Sequence, residues 1–300
     1  MLINWLGALP GAAAQGMIWG IMAIGVYITY KILDIADLTV DGSICTGGAV
    51  CAVLVASGVN VWVAMLAAFI AGMLAGLVTG ILHTLMGIPA ILAGILSQLI
   101  LWSVNLKIMG QPNIALPARN YELILAQMNI NQSLLMLIVM IAVFIPLLYC
   151  FFGTEVGASL RATGNNLNMS RAQGINTDIT KTLGLVLSNG IVALSGALLA
   201  QYQGFADINM GRGAIVIGLA AVIIGEAVTS RLSFNLGLRM LGVIIGGVIY
   251  YFVYQTVIFL GLDADLLKML SAIVVAIFLA VPYWKKNYFT KAKGVKVCSK

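Results

Sequence analysis

Long apolar segments separated by short polar ones follow one another along the whole chain. Nine of them predict membrane-spanning helices, at about residues 10–30, 42–57, 61–84, 88–108, 132–152, 183–203, 213–229, 240–261 and 266–282. A helix needs roughly 17–25 apolar residues to cross a bilayer. Several segments have only 16 or 17 residues. For these, half-helices, re-entrant segments and tilted helices remain alternatives to a full span. We expect an all-α, polytopic integral membrane protein with about nine spans, within a range of about eight to ten.

The composition agrees with this pattern and excludes other classes of protein. Of the 300 residues, 61% are hydrophobic and only 9% are charged. Soluble domains carry roughly 25% charged residues, and disordered chains combine low hydrophobicity with high net charge. The first basic residue, Lys31, follows the first apolar segment. Because a cleavable signal peptide has its positive charge before that segment, we expect the first span to stay in the membrane.

The basic residues predict an orientation. Six of the ten lysines lie in the last sixteen residues, and loops rich in lysine and arginine stay on the cytoplasmic side. With the C-terminus inside, twelve of the sixteen basic residues face the cytoplasm, and four (Lys107, Arg119, Arg212 and Lys268) face outward. We therefore predict a transmembrane domain over 1–284 and a basic cytoplasmic tail over 285–300. We therefore interpret the net charge of +6 as a signal of membrane topology and of contact with anionic lipid headgroups. We expect no nucleic acid as a partner.

Small residues recur at helical spacing in two of the predicted spans. Ala68, Gly72, Gly76 and Gly80 lie four residues apart, and Gly242 and Gly246 repeat the spacing before Gly247. Small residues let helix backbones approach closely inside a bilayer. We expect both stripes to mark contacts between helices.

Sequence motifs of the common enzyme classes are missing. The chain has no G-x-x-x-x-G-K-[ST] motif, no G-x-G-x-x-G motif, and a single histidine, His83, which excludes an H-E-x-x-H zinc site. The four cysteines form no C-x-x-C pair. We predict that the chain is not an enzyme, with no catalytic residues, no metal site and no cofactor of its own.

Four polar residues in or beside the spans are candidates for a translocation pathway: Asp41, Gln98, Asn105 and Glu226. Polar and charged groups at membrane depth are costly and call for a reason. Each also has a structural interpretation, which the sequence leaves open. Asp41 stands where the N-cap of the second span belongs, Gln98 and Asn105 can form hydrogen bonds between helices, and Glu226 can pair with Arg231 or Arg239 near the membrane surface.

The longest predicted inside loop, 153–182, contains the signals of a short helix. Asn165 or Asn166 can cap its start, 168–173 would form about two turns, and Gly174 suits a left-handed end. Three basic residues in this loop keep it at the cytoplasmic face. A solvated linker is the alternative, although a linker needs no defined start and end.

The same loop resembles a known family. Residues 157–166 (GASLRATGNN) and 171–176 (RAQGIN) resemble the cytoplasmic loop of permease subunits in bacterial ABC importers of the branched-chain amino acid and ribose type. The segments SGALLA at 195–200, GLAAVIIG at 218–225 and GIPA at 87–90 fit the same family. Many members have a second glycine after the position of Gly225, where this chain has Glu226.

Three further segments resemble a narrower branch of that family. DLTVDGS at 37–43, His83 with Thr84, and NLKIMGQPN at 105–113 are similar to permeases labelled as tryptophan or tyrosine transporters. The resemblance covers roughly residues 15–282.

The resemblance implies an ABC importer permease fold and an ATP-driven import function in the bacterial cytoplasmic membrane. A separate ATP-binding subunit would hold ATP and Mg²⁺, an extracytoplasmic binding protein would deliver a small solute, and the permease would form a dimer, homodimeric or pseudo-dimeric. The solute would be an amino acid, aromatic in the narrower branch. The implied docking residues on the ATPase are Arg161, Gly164, Asn165, Asn166, Arg171 and Gly174. An ion-coupled secondary transporter is the alternative, but it would place carboxylates near mid-depth.

Overall fold

The computed structural model describes residues 2–117, 121, 123–229 and 235–259, with isolated positions at 269, 272, 273, 276, 277 and 280. The helices there are α1 (Leu2–Tyr27, continued by a π-helical turn over Ile28–Ile32), α2 (Val40–Ala56), α3 (Val61–Thr84), α4 (Ala90–Met109), α5 (Ile130–Gly153), α6 (Glu155–Asn165), α7 (Leu167–Ala172), α8 (Thr177–Gln203), α9 (Ala214–Thr229) and α10 (Leu236–Phe259). A 3-10 turn, Gln127–Asn129, precedes α5, and two strands, β1 (Asn113–Ala115) and β2 (Phe205–Asp207), form an antiparallel pair.

The helices confirm the predicted all-α membrane architecture. In the described part of the chain, six helices are long and apolar enough to cross a membrane, and α2 and α9 are shorter apolar helices. The predicted span 61–84 coincides with α3, whereas α8 begins six residues before the predicted 183. The predicted tail, 285–300, and most of the predicted span 266–282 lie outside the described residues.

The bundle has two distinct ends. At the strand end, β1 pairs with β2, with Asn113 opposite Asp207. At the loop end, α6 and α7 connect α5 to α8. The helix α1 extends from one end to the other, since the Tyr202 hydroxyl donates to the Gly11 carbonyl over 3.2 Å, while Ile32 lies against Gly164 of α6.

Close contact between α3 and α8 confirms the first predicted stripe. A Cβ added at Gly72 would overlap the backbone of Asn189, and one added at Gly76 would overlap the Leu185 carbonyl oxygen. Farther along, Gly80 lies against Thr182. Such backbone approach gives dispersion contacts that larger side chains would prevent, which is how helices associate in lipid.

The second predicted stripe joins α10 to two helices. Gly246 lies against the carbonyl oxygen of Ala221 in α9, and Gly247 faces Gly16 and Gly20 of α1. The most buried spans are α1 and α8, while α4 and α5 keep most of their surface exposed. The bundle is therefore built around α1 and α8, with α4 and α5 on its outside.

The α3–α8 contact yields a stability prediction. Gly76→Ala should lower the unfolding temperature in detergent, because the new methyl group has no room beside Leu185. Gly7→Ala is the matched control, since a Cβ at that helical position meets nothing within 4 Å, and alanine favours a helix by roughly 0.5–1 kcal/mol over glycine. Equal unfolding temperatures for the two variants would contradict the packing argument.

Candidate functional site

The chain between α1 and α2 leaves the helical conformation and turns back into the bundle. Asp34 has a left-handed backbone with φ of +55°, which is uncommon for a residue other than glycine. Three residues later, Asp37 is only 3% exposed. Its carboxylate accepts from the Thr39 amide over 2.9 Å and from the Asn189 amide nitrogen over 2.8 Å. A buried carboxylate is tolerated here because donors of the protein replace water.

A network of hydrogen bonds continues from this carboxylate to three neighbouring helices. Ser43 donates to the Asn189 Oδ1 atom over 2.6 Å. The hydroxyl groups of Thr39 and Thr79 lie 2.8 Å apart, and the Thr79 hydroxyl lies 2.8 Å from that of Ser97. The start of α2 is thereby connected to α8, α3 and α4 by partnered polar groups, which fix their relative positions.

Asp41 caps a helix, but not the one that the sequence predicted. Its own helix, α2, already begins at Val40. The Asp41 carboxylate instead accepts from the Gly213 amide over 3.0 Å and from the Ile215 amide over 2.9 Å, at the start of α9. A helix start leaves backbone N–H groups without partners, and a carboxylate compensates both these donors and the helix dipole.

Both short helices begin inside the bundle. Gly42, in the first turn of α2, lies against Gln98 and Leu101 near the middle of α4. Gly211, just before α9, lies against Asp41. The 16- and 17-residue helices α9 and α2 therefore begin beside each other, and we refer to them as half-helices. In membrane transporters, helix starts at mid-depth commonly surround a substrate site.

A cavity of about 260 Å³ opens where these helix starts meet α4. The side chains that define it are Asp41, Gln98, Leu99, Trp102, Asn105 and Arg212. Three of the four predicted pathway residues thus come together. Arg212 was not predicted as a site residue, because from the sequence it was counted only as a topology signal, although an arginine directly before a short apolar helix itself indicates a site.

The polar groups of the cavity differ in how well they are partnered. Asn105 is 1% exposed, its amide nitrogen lies 3.5 Å from the Gly42 carbonyl, and its Oδ1 atom has no hydrogen-bond partner. Within the described residues, the Arg212 guanidinium takes part in no ion pair and no side-chain hydrogen bond. The cavity therefore combines one carboxylate, one unpaired cation and one unsatisfied amide oxygen.

Arg212 also lines a second cavity, of about 380 Å³. Its wall includes Trp19, Tyr250, Tyr251 and Tyr254, and the Trp19 and Tyr251 rings stack with centroids 6.1 Å apart. We call the cavity with Asp41 and Asn105 the polar cavity and this one the aromatic cavity.

Glu226 lies away from the polar cavity. Its carboxylate pairs with the Lys31 ammonium group over 3.1 Å, and both side chains are partly exposed. The predicted partner Arg239 does not form this ion pair, and Arg231 lies outside the described residues. Glu226 therefore joins α9 to the end of α1, near the loop end of the bundle.

The predicted short helix of the loop is present as α7. Asn166 caps it, with its side chain accepting from the Met169 amide over 3.1 Å, and Gly174 has φ of +79° after its end. The longer helix α6, which precedes α7, was not predicted from the sequence. Gly164 and Asn165 belong to α6, so of the two predicted caps Asn166 is the one that caps α7.

The two loop helices are held against the bundle. Arg171 donates to the Thr177 hydroxyl over 2.9 Å and lies 3.7 Å from the Asp178 carboxylate. Leu167 and Met169 leave apolar surface exposed on α7, with Met169 63% exposed. The predicted residues Arg161, Asn165, Asn166 and Arg171 are exposed on the same two helices.

Helix α6 touches the end of α1, from which the chain leads to the polar cavity. A Cβ on Gly164 would overlap the Ile32 carbonyl oxygen at the end of α1. From Ile32 the chain passes through the left-handed Asp34 to the buried Asp37 and then to Asp41. A displacement of α6 would thus act on the segment that carries the cap of α9.

The cap on α9 yields a second prediction. Asp41→Ala should lower the free energy of unfolding by about 0.5–2 kcal/mol, because the amides of Gly213 and Ile215 lose their acceptor. Asp41→Asn should lose less, since asparagine keeps one acceptor oxygen. Thermal unfolding of the purified protein in detergent measures both variants. Wild-type stability in Asp41→Ala would show that the cap contributes nothing.

Comparisons with known proteins match nearly the whole chain. Residues 9–281 match the family described as the permease component of branched-chain amino acid transport systems. No solved structure matches the chain significantly.

Three curated relatives illustrate the range of similarity. The tyrosine transport system permease protein of Clostridioides difficile is 42% identical over 275 residues, covering 92% of this chain and 91% of the relative. An uncharacterised protein of Rickettsia prowazekii is 34% identical, covering 92% and 98%. The ribose import permease protein of Escherichia coli is 27% identical, covering 89% and 83%.

Proposed function

This chain belongs to the permease family of branched-chain amino acid transport systems, and we propose that its solute passes through the cavity at Asp41, Asn105 and Arg212. The chain is the membrane-spanning permease of an ABC importer. The observation that carries the proposed pathway is the meeting of two half-helix starts around a cavity with unpartnered polar groups. Unwound backbone and free helix ends at membrane depth occur where they line a solute path.

The proposed solute is an amino acid with an aromatic side chain. The relative that is 42% identical over most of both chains is named for tyrosine transport, which supports this choice. Relatives named for ribose and autoinducer 2 import are at most 29% identical. The same scaffold thus serves chemically different solutes, and the side chains of the cavity would account for the difference.

The proposed orientation places the loop end in the cytoplasm of a bacterial cell and the strand end outside its inner membrane. Basic residues support it, because Arg161, Arg171 and Lys181 all lie at the loop end. An ATP-binding subunit with ATP and Mg²⁺ then docks beneath α6 and α7, and hydrolysis takes place on that subunit. An extracytoplasmic binding protein delivers the solute at the strand end. Residues 1–284 form one transmembrane domain, with the tail 285–300 inside.

In this proposal, the ATPase acts on the permease through its contact with α7. The exposed Leu167 and Met169 side chains give this helix an apolar surface for a groove on the partner. Because α6 touches Ile32 through Gly164, a push on the loop helices moves the segment 33–39. Coupling requires an element with two arrangements, which the partner binds with different affinity. The half-helix pair held by Asp41 is the proposed element.

A second copy of the permease completes the pathway. The cavity opens on the outer face of α4, where Leu99 and Trp102 are exposed. Lipid there would leave the Arg212 guanidinium against hydrocarbon, which is costly. A second permease across this face removes that cost and encloses the cavity between two chains, so we favour a homodimer.

Purification from the native membrane tests the proposed function. The tagged permease, extracted in mild detergent, should bring with it a stoichiometric subunit that carries the motif G-x-x-x-x-G-K-[ST], identified by mass spectrometry. Liposomes that contain the complex and the binding protein should take up L-tyrosine only with ATP inside. A solitary permease that transports without ATP, driven by an ion gradient, would establish the secondary transporter instead.

Replacing Gly174 tests the coupling role of the loop. Gly174→Val forces a β-branched residue into a left-handed backbone, at a cost of order 1–3 kcal/mol, and should distort the end of α7. We expect ATP hydrolysis to continue while ATP-driven uptake falls at least about tenfold, which corresponds to about 1.4 kcal/mol of lost coupling.

Gly58→Val is the matched control for that variant. Gly58 also has a positive φ, of +83°, and a Cβ there meets nothing within 4 Å, as at Gly174. It lies at the opposite end of the bundle, so the same local strain should leave coupling intact. Normal uptake by Gly174→Val would remove α7 from the coupling path.

A further inference from the structure

We propose that the polar cavity recognises the two charged ends of a free amino acid separately, with Arg212 binding the carboxylate and Asn105, together with Asp41, binding the ammonium group. The inference rests on the proposed pathway through this cavity. It makes the permease itself selective for a zwitterion, in addition to any selection by a binding protein. The unpaired guanidinium, the unsatisfied amide oxygen and the nearby carboxylate carry the argument.

The carboxylate end fits Arg212. This arginine lines the cavity, and in the described part of the chain no carboxylate lies within ion-pairing distance of it. Asp41 shares the cavity, but its two oxygens face the amides of Gly213 and Ile215. A guanidinium group offers two parallel N–H donors that match a carboxylate. A solute carboxylate would therefore compensate a charge that the protein leaves open.

The ammonium end fits Asn105 and Asp41. Asn105 is buried, and its Oδ1 atom has no partner. An unsatisfied buried acceptor costs stability until a donor reaches it. Asp41 accepts two backbone hydrogen bonds, whereas an ionised carboxylate has roughly four acceptor sites. An ammonium group carries three donors and can bind the Asn105 oxygen and the Asp41 carboxylate together.

The apolar wall fits an aromatic side chain. Gln98, Trp102 and Asn105 follow one another at the spacing of one helical face, so the Trp102 ring lies beside the polar groups. Leu99 extends the apolar surface. The volume of about 260 Å³ is just below the usual range for ligand pockets, about 300–1,000 Å³. The cavity therefore suits a single amino acid.

Other solutes fit the same groups less well. A simple anion would pair with Arg212 and leave the Asn105 oxygen unsatisfied. A simple cation would bind the Asn105 oxygen and leave Arg212 unpaired. A sugar would offer neutral hydroxyl groups to a cation and a carboxylate that are not paired with each other. A molecule that carries both charges satisfies both sets of groups.

Equilibrium binding of radiolabelled L-tyrosine to the purified permease–ATPase complex, without the binding protein, tests the inference. Unlabelled tyramine, which lacks the carboxylate, and 3-(4-hydroxyphenyl)propionate, which lacks the ammonium group, serve as competitors. Each should compete at least about tenfold more weakly than unlabelled L-tyrosine, the loss expected when a hydrogen bond to a charged group is missing.

Two variants assign the two ends of the solute. Arg212→Gln should weaken L-tyrosine binding at least about tenfold and leave the weak binding of tyramine unchanged. Asn105→Leu should weaken L-tyrosine binding and leave that of 3-(4-hydroxyphenyl)propionate unchanged. Asn105→Asp should retain L-tyrosine binding, because aspartate keeps an acceptor oxygen at that position. Lys107→Gln is the control, because it removes a charge from an exposed position of the same helix, outside the cavity.

The outcomes separate this inference from the proposed function. Competition of equal strength by all three compounds would overturn two-ended recognition, and so would wild-type binding by both Arg212→Gln and Asn105→Leu in complexes of normal unfolding temperature. Absence of any L-tyrosine binding to the wild type would also overturn it. If ATP-driven uptake of L-tyrosine nevertheless proceeds in the complete system, the proposed function stands and only the recognition by this cavity fails.

Discussion

Backbone N–H groups at helix starts inside the bundle are the constraint on which the rest of this structure depends. Within a membrane, the protein must supply acceptors for such groups wherever water does not reach them. For α9 the acceptor is the Asp41 carboxylate, reached from the first turn of α2. This requires the chain after α1 to return into the bundle, which it does through the buried Asp37 and its partner Asn189. A polar region at mid-depth follows directly from the presence of two half-helices.

The glycine contacts determine how rigidly this region is held. The α3–α8 and α9–α10 pairs are separated by little more than backbone, as at Gly76 and Gly246. Interfaces packed this closely move as units, because interiors do not deform continuously. The contact of Gly164 with Ile32 is of the same kind. No flexible side chain separates the two backbones there, so a displacement of the loop helices would reach the segment 33–39, as the proposed coupling requires.

Many of the helices and their ends could be predicted from the sequence, because the length of an apolar segment and the capping of a helix depend on consecutive residues. The bounds of α3 and the Asn166 cap of α7 are examples. Contacts between distant segments could not be predicted in the same way. Spacing shows that Asp41 suits a cap, but not that it caps α9, and it shows that Glu226 needs a partner, but not that Lys31 provides it. Helix α6 was missed because its many polar residues were assigned to a loop, although its buried residues Gly157, Leu160 and Thr163 recur every three positions.

The distinction between satisfied and unsatisfied polar groups separates scaffold from site. Asp37 is more deeply buried than Asp41, and by position alone it would be the stronger candidate for binding an ion. Both of its oxygens, however, already accept from the protein, from Thr39 and Asn189. Two groups that still lack partners, the Asn105 oxygen and the Arg212 guanidinium, line the same cavity, whereas the Trp19 indole nitrogen, which is also unsatisfied, lines the second one. Burial of a charge thus identifies what holds the half-helices in place, whereas an unmet hydrogen-bonding demand identifies where a solute would bind.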